Sequence, residues 1–376
     1  MNSSTLDDDE PVDDEPAGEA IDLFPAGGQA ILGNAAVQVA QTIGQQAAEL
    51  LLVEDVSAKL DAALRERLAA ACFGTTAALT VCGDLATEWA IAAARIHGGP
   101  KYKVITFVGD YHGQSLAARA AAGDPQQQQD LGPLMAGFVH CPAGDAAAVA
   151  EAIDDQTAAI LVQPLQTHDG LQSLPAEFLA TLRQLADEHQ LLLIFDETQL
   201  PIGVSGRFHY AAADEVVPDA LVLAAGLAVG LPLGAVLLGQ SLAASLENHP
   251  GLQTDPVSPL VAAAALATLQ AIDDQSLLQD AQRRGDLWLQ QLAGLQEDFE
   301  FVREVRGRGL LVAMELDVEA AEVQAQLRSH NVRVGTAGTH TLRLQPPLTI
   351  SDEQLQRSVE SLKLVFQTIE REPAIG

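Results

Sequence analysis

The stretch LLLIFDETQLPIGVSGRFHYAAADEVVPDALVLAAGLAVGLPLGAVLLG, residues 191–239, decides the architecture of this chain. It opens with LLLIFDE (Leu191 to Glu197), an apolar run without polar alternation, which reads as a strand buried on both faces. The strand ends on two carboxylates, Asp196 and Glu197. A carboxylate at such an exit either pairs with a cation, caps the next turn or meets a ligand. Later in the stretch a second strand-like run, Leu221 to Ala224, enters a turn punctuated by Gly226 and Gly230. Turns of this kind often carry a reactive side chain, yet only Ala225 stands between Ala224 and Gly226.

Working outward, strands and helices alternate. AALTVCGD (77–84) reads as a strand into a turn, ATEWAIAAARIHGG (86–99) as a helix closed by glycine, and KYKVITFVG (101–109) as a strand. DDQTAAILVQPL (154–165) ends in another strand, and PAEFLATLRQLADEHQ (175–190) is a helix beginning at Pro175, where a missing N–H costs nothing. This is the grammar of a doubly wound α/β sheet, whose ligands sit at the carboxyl ends of its strands. Two amphipathic helices, Val37 to Leu52 and Val56 to Cys72, precede it. From Pro259 the rhythm changes to a long Ala/Leu helix, then VREVRGRGLLVAMELD, a helix, NVRVGTAGTHTLRLQPPLTIS and a last helix to Arg371, which predicts a smaller α+β domain. The expected division is an acidic, disordered tail over 1–22, a helical segment over 23–72, a large domain over 73–258 and a small domain over 259–376. QQQQ at 126–129 reads as an exposed loop.

Composition narrows the function. With 376 residues and 48% hydrophobic content the chain has ample material for a full core. Its net charge of −31 excludes nucleic acid and anionic membrane as natural partners. The charge is partly local: LDDDEPVDDEPAGE (Leu6 to Glu19) has no base and no aromatic, and reads as a solvated tail or as a docking segment for a basic partner. Cys72, Cys82 and Cys141 are odd in number and lack metal-type spacing, which argues against disulfides and zinc. With no apolar run of membrane length and no secretion signal, the expected location is cytoplasmic.

The strand ends supply the candidate chemistry. CGD (82–84) precedes a helix and offers backbone N–H groups as an anion seat. DYHG (110–113) places Tyr111 and His112 at another strand end, where an aromatic face covers a planar ligand or simply lines a rim. Taken in order and spacing, the 191–239 run with YHGQSLAARAAAG, LGPLMAGFVHCPAGD, EVRGRGLLVAMELD and LRLQPPLTIS resembles the class III aminotransferases of the acetylornithine and ornithine type. The resemblance covers about residues 25–370. It implies the type I fold of pyridoxal-phosphate enzymes: an α/β large domain with a mixed, mostly parallel seven-stranded sheet, a smaller α+β C-terminal domain, and a dimer that shares its two sites.

Carried over residue by residue, the resemblance puts Ala225 where the family keeps its Schiff-base lysine. A methyl group forms no imine and moves no proton, so no residue is assigned a catalytic role. For the cofactor, pyridoxal 5'-phosphate, it implies Asp196 at the pyridinium nitrogen, Gln199 at the phenolic oxygen, Tyr111 stacked on the ring, Gly83 and Asp84 at the phosphate turn, and Thr254 reaching the neighbouring subunit's phosphate. Arg343 is implied as the grip on a substrate carboxylate. Departures are spread over the site: the phosphate turn reads VCGDL with Asp84 at a helix N-terminus, an arginine position is Gln114, and a glutamate position is His168. Covalent cofactor binding is therefore expected to be lost, with weak non-covalent binding still open. Three roles remain: a degenerate homologue acting through a dimer with itself or with an active paralogue, a pyridoxal-phosphate enzyme with altered chemistry, and a sensor of an amino acid or keto acid.

Overall fold

Leu192–Glu197 is the middle strand of a seven-stranded sheet and is buried along its whole length. Across the sheet the order is Thr76–Thr80, Gly234–Leu238, Ala220–Leu223, Leu192–Glu197, Thr157–Val162, Lys103–Phe107 and Phe138–Cys141. Six strands run the same way; Gly234–Leu238 alone is antiparallel to both neighbours. The computed structural model describes residues 20–34, 36–49, 54–168, 170–247, 249–252, 254 and 256–371. The acidic run Leu6 to Glu19 lies outside the described residues.

The unbroken apolar runs follow from helices covering both faces. Along the middle strand Ile194 packs with Ala86, Ala90 and Ile91 of the helix Gly83–Gly98, while Leu193 and Phe195 fall in the other core with Leu179 and Leu182 of the helix Ala176–His189. Because side chains alternate along a strand, Asp196 leaves on the Ile194 face and Glu197 on the Phe195 face. That one-residue step governs the chemistry below.

The helices Val37–Ala48 and Glu54–Ala71 pack on Pro259–Asp274, and Leu277–Asp298 leads into the smaller unit. There Val302–Arg308, Leu311–Leu316, Thr341–Leu344 and Gly335–Ala337 form an antiparallel sheet in that order. The helix Asp352–Arg371 packs on Leu277–Asp298 and Ala320–Ser329 and buries a stripe of Leu355, Leu362, Val365 and Phe366.

Two sequence expectations change. Ile21 and Asp22, placed in the acidic tail, form a strand parallel to Val332–Arg333, and the Leu23 N–H donates to Arg333 O at 2.8 Å. The start of the described chain therefore belongs to the C-terminal sheet region. QQQQ is not a plain loop: Pro125–Gln128 is a one-turn helix whose first turn is capped by Asp124, with proline where no N–H is needed.

Candidate functional site

The turn after Ala220–Leu223 faces the N-terminus of the helix Gly83–Gly98 across a cleft of about 330 Å3. Close packing builds it: a Cβ at Gly83 would lie 2.9 Å from the Ala224 Cβ, and one at Gly226, at φ +78°, would lie 2.8 Å from Ile31. The Ala225 N–H donates to Thr198 O and the Ala225 carbonyl accepts from the Ile202 N–H, both at 3.3 Å, so the turn is tied to the end of the middle strand. Gly83, Asp84, Gln199, Ala225 and Arg343 all line this cleft, as does Cys82. The chain's four lysines, Lys59, Lys101, Lys103 and Lys363, do not. Lys103 pairs with Asp154 and Lys363 with Asp298 on the surface.

Asp84 sits in the first turn of its helix, where a negative charge is favoured by the exposed N–H groups. Its Oδ2 accepts the Gln114 N–H at 3.0 Å, and Gly113 passes so close that a Cβ there would lie 2.4 Å from Oδ1. The carboxylate therefore joins the helix start to the 113–114 turn.

Asp196 is fully buried and does not line the cleft. Its Oδ2 meets His112 Nδ1 at 2.7 Å, while Oδ1 accepts the Thr198 N–H at 2.9 Å and its hydroxyl at 2.7 Å. Behind His112 stands Asp110, with Oδ2 at 3.7 Å from Nε2 and accepting the Gln163 N–H, and with Oδ1 accepting from Gln166 Nε2. His112 Nε2 has no hydrogen-bond partner among the described residues. Burial pushes the Asp110 carboxyl up to about 6, against the pull of His112 and of its hydrogen bonds. Burial works to lower the His112 value, but the hydrogen bond and charge of Asp196, with Asp110, bring its net direction upward.

Tyr111 is also off the cleft lining. Its peptide is bracketed by Gln163, which accepts the Tyr111 N–H at 2.9 Å and donates to its carbonyl at 2.7 Å. Its ring stacks on His168, with centroids 5.3 Å apart and planes 6° from parallel. Arg343 donates from Nε and Nη2 to Gln345 Oε1 at 3.1 and 2.7 Å, from Nη2 to Gln199 O at 3.4 Å, and lies 5.3 Å over the Phe24 ring. None of these partners is a carboxylate. Burial lowers its value to about 10, the signature of a cation with little compensation. Thr254 stands apart: it accepts from Arg65 Nη2 at 3.2 Å and lines a separate depression with Trp89.

Thr198 and Gln345 are not among the residues singled out from the sequence, although each lies two positions from one that is. At a strand end that spacing puts Gln345 beside Arg343, and a hydroxyl two residues after an aspartate is a common local turn bond. Gly27 and Gln29, which complete the cleft wall, carry no such signal.

The class-III aminotransferase profile matches residues 9–366. The chain belongs to the class-III aminotransferases. It is of the acetylornithine/ornithine type within that pyridoxal-phosphate-dependent family. The acetylornithine aminotransferase of Rhodobacter capsulatus is 33% identical over 352 residues, 91% of this chain and 89% of that protein. That of Myxococcus xanthus is 37% identical over 257 residues, covering 68% and 64%. Among solved structures, the ornithine aminotransferase of Toxoplasma gondii superposes with a TM-score of 0.87 at 27% identity, covering 94% of this chain and 87% of that one. The family is typically dimeric, and among the described residues no helix is long and apolar enough to cross a membrane.

Proposed function

We propose that this class-III aminotransferase is degenerate for transamination and acts through dimer association and residual binding of a carboxylate ligand. One observation carries the reading: Ala225 lines the cleft in the company of Asp84 and of no lysine. Pyridoxal phosphate supplies the electron sink in this family when an amine holds it and a seat takes its phosphate. The residues here do not fit that group. Asp84 already occupies the helix start, and a carboxylate about 4 Å from a phosphate costs on the order of a few kcal/mol even at an effective dielectric near 20. The buried oxygens of Asp196 are committed to His112 and Thr198.

Binding remains within reach of the cleft. Arg343 provides a half-buried guanidinium fork for one carboxylate, which favours a sensor of amino acids or keto acids as the second reading. Val81, Leu85 and Leu116, exposed by 59, 47 and 65%, flank the Asp84 helix start and the segment after Gln114, and they support pairing with a second subunit. That pairing, with itself or with an active paralogue, has to overcome about thirty negative charges per chain. Ions screen these beyond roughly 8 Å at physiological salt.

The test is an absorbance spectrum of protein purified with added pyridoxal phosphate, followed by borohydride reduction and mass mapping. The expected outcome is no aldimine band and no modified lysine; a reducible yellow species mapped to any of the four lysines sinks the reading. Light scattering across a salt series tests the association. A dimer that loosens at low ionic strength is expected, and a monomer at every salt concentration removes the structural role.

A further inference from the structure

The guanidinium of Arg343 is gripped along one edge by a neutral group. Gln345 Oε1 accepts from Nε at 3.1 Å and from Nη2 at 2.7 Å, the side-on geometry in which arginine ordinarily meets a carboxylate. Gln345 is 2% exposed, and its other amide atom, Nε2, donates to Gly28 O at 2.7 Å. These partners fix which way the amide points. An arginine only donates and a carbonyl only accepts, so exchanging Oε1 and Nε2 would break all three bonds. Gly28 stands so close, at φ +79°, that a Cβ there would lie 2.1 Å from Nε2. The Gln345 N–H donates to Leu23 O at 2.6 Å, so backbone and side chain are both tied to the 23–28 segment.

The other edge of the guanidinium is open. Nη1 has no hydrogen-bond partner among the described residues and is not sealed, and Nη2 makes one further bond, to Gln199 O at 3.4 Å. Arg343 lines the Ala225 cleft and Gln345 does not. Asp84, the one acidic residue of that cleft wall, accepts from the Gln114 N–H and makes no ion pair with Arg343. A guanidinium held only by neutral oxygens and the Phe24 ring keeps its full charge for an incoming anion. A glutamate at 345 would offer Arg343 the same acceptor, at the expense of the Gly28 bond, and would cancel that charge. The neutral amide orients the arginine without neutralising it.

We infer that Gln345 is the positioning residue of the Ala225 cleft: it fixes the Nε–Nη2 edge of Arg343 while leaving the charge uncancelled, so that the free edge takes one carboxylate of an amino or keto acid. The inference rests on the carboxylate reading given above. Calorimetric titration of the full-length protein with 2-oxoglutarate tests it. Gln345→Glu is expected to lower the affinity roughly tenfold to a hundredfold, as removal of the arginine charge does. Gln345→Met gives up all three side-chain bonds but adds no charge, and is expected to lower it only about fivefold, the worth of a neutral hydrogen bond. A purely structural amide would reverse that order, since glutamate keeps an acceptor for Arg343 and methionine keeps none. On the unaltered protein, proton–nitrogen NMR should show the Gln345 side-chain amide protected from exchange before and after 2-oxoglutarate is added, with the Arg343 Nη signals shifting. Undiminished affinity in Gln345→Glu, a loss as large in Gln345→Met, or release of the Gln345 amide on adding ligand overturns the inference, the last even where both variants fail to fold. No binding by the unaltered protein, or equal binding by Arg343→Gln, strikes the carboxylate reading itself and this inference with it.

Discussion

Asp196 and Glu197 are neighbours on one strand, each bonded to a histidine, and their surroundings could hardly differ more. On the Asp196 face every polar partner is internal: His112, Thr198 and, one layer back, Asp110 with Gln163 and Gln166. On the Glu197 face the carboxylate is equally buried, but its histidine, His209, borders a cavity. The first arrangement spends its hydrogen bonds on holding the strand ends together; the second leaves a nitrogen for something else. Carboxylate and histidine together therefore say little about role until the far side of the imidazole is known.

The largest effect should come from breaking the sealed side. Asp196→Ala strands His112 beside Asp110 and removes the acceptor for both Thr198 groups, and is expected to cost about 3–5 kcal/mol in urea unfolding. A loss under about 1 kcal/mol would mean that the sealed pair is not the structural member of the comparison.

Next is the pH dependence of the same cluster. Asp110 has a folded value of about 6 against an ordinary 3.8, so its contribution is fully present below 3.8 and fades as pH rises through about 6. The raised His112 works in the same sense: its contribution is lost as pH climbs through its folded value. Asp110→Asn should therefore unfold at higher urea than the unaltered chain at pH 8, by roughly 2–3 kcal/mol, with the gain vanishing near pH 4. A gain that grows toward acid would reverse the assignment.

In the cleft, Arg343→Gln keeps a polar side chain but removes the charge. Calorimetric titration with 2-oxoglutarate should show affinity falling roughly tenfold to a hundredfold, the worth of a charge-assisted bond. An unchanged affinity would place carboxylate recognition elsewhere. The smallest effect is expected of Ala225→Lys. An amine restored at this one position leaves Asp84, Gln114 and His168 as they are. Turnover with acetylornithine or ornithine should stay more than about tenfold below an ordinary 10 per second, as followed by glutamate formation.

Five of the seven strands were legible because burial leaves apolar runs in them; Gly234–Leu238 and the edge strand Phe138–Cys141, in which only Cys141 is buried, were not read from the residues. Asp196 was legible from its place at the end of one such run. What sealed it was not. His112 lies 84 positions before Asp196, and only the adjacency of two strand ends brings them to 2.7 Å. Thr254 shows the converse: its place in the sequence resemblance is plain, yet within one chain it stands with Arg65, away from the cleft. The pairing of Ile21 with Val332 was invisible because a two-residue strand has no periodicity to read, and its neighbours up to Glu19 are dominated by charge.

That small pairing has a consequence for how the protein is made. Ile21 emerges from the ribosome early and its partner Val332 very late, so at ordinary synthesis rates the strand waits roughly 15 to 60 s for the residues that complete it. The large sheet, whose last strand ends at Leu238, can form during that interval. The C-terminal sheet cannot be finished until nearly the whole chain is out. A ribosome stalled before residue 332 would thus display a folded large sheet with its leading strand unpaired, and limited proteolysis of such arrested chains should cut near Leu23 while sparing the sheet.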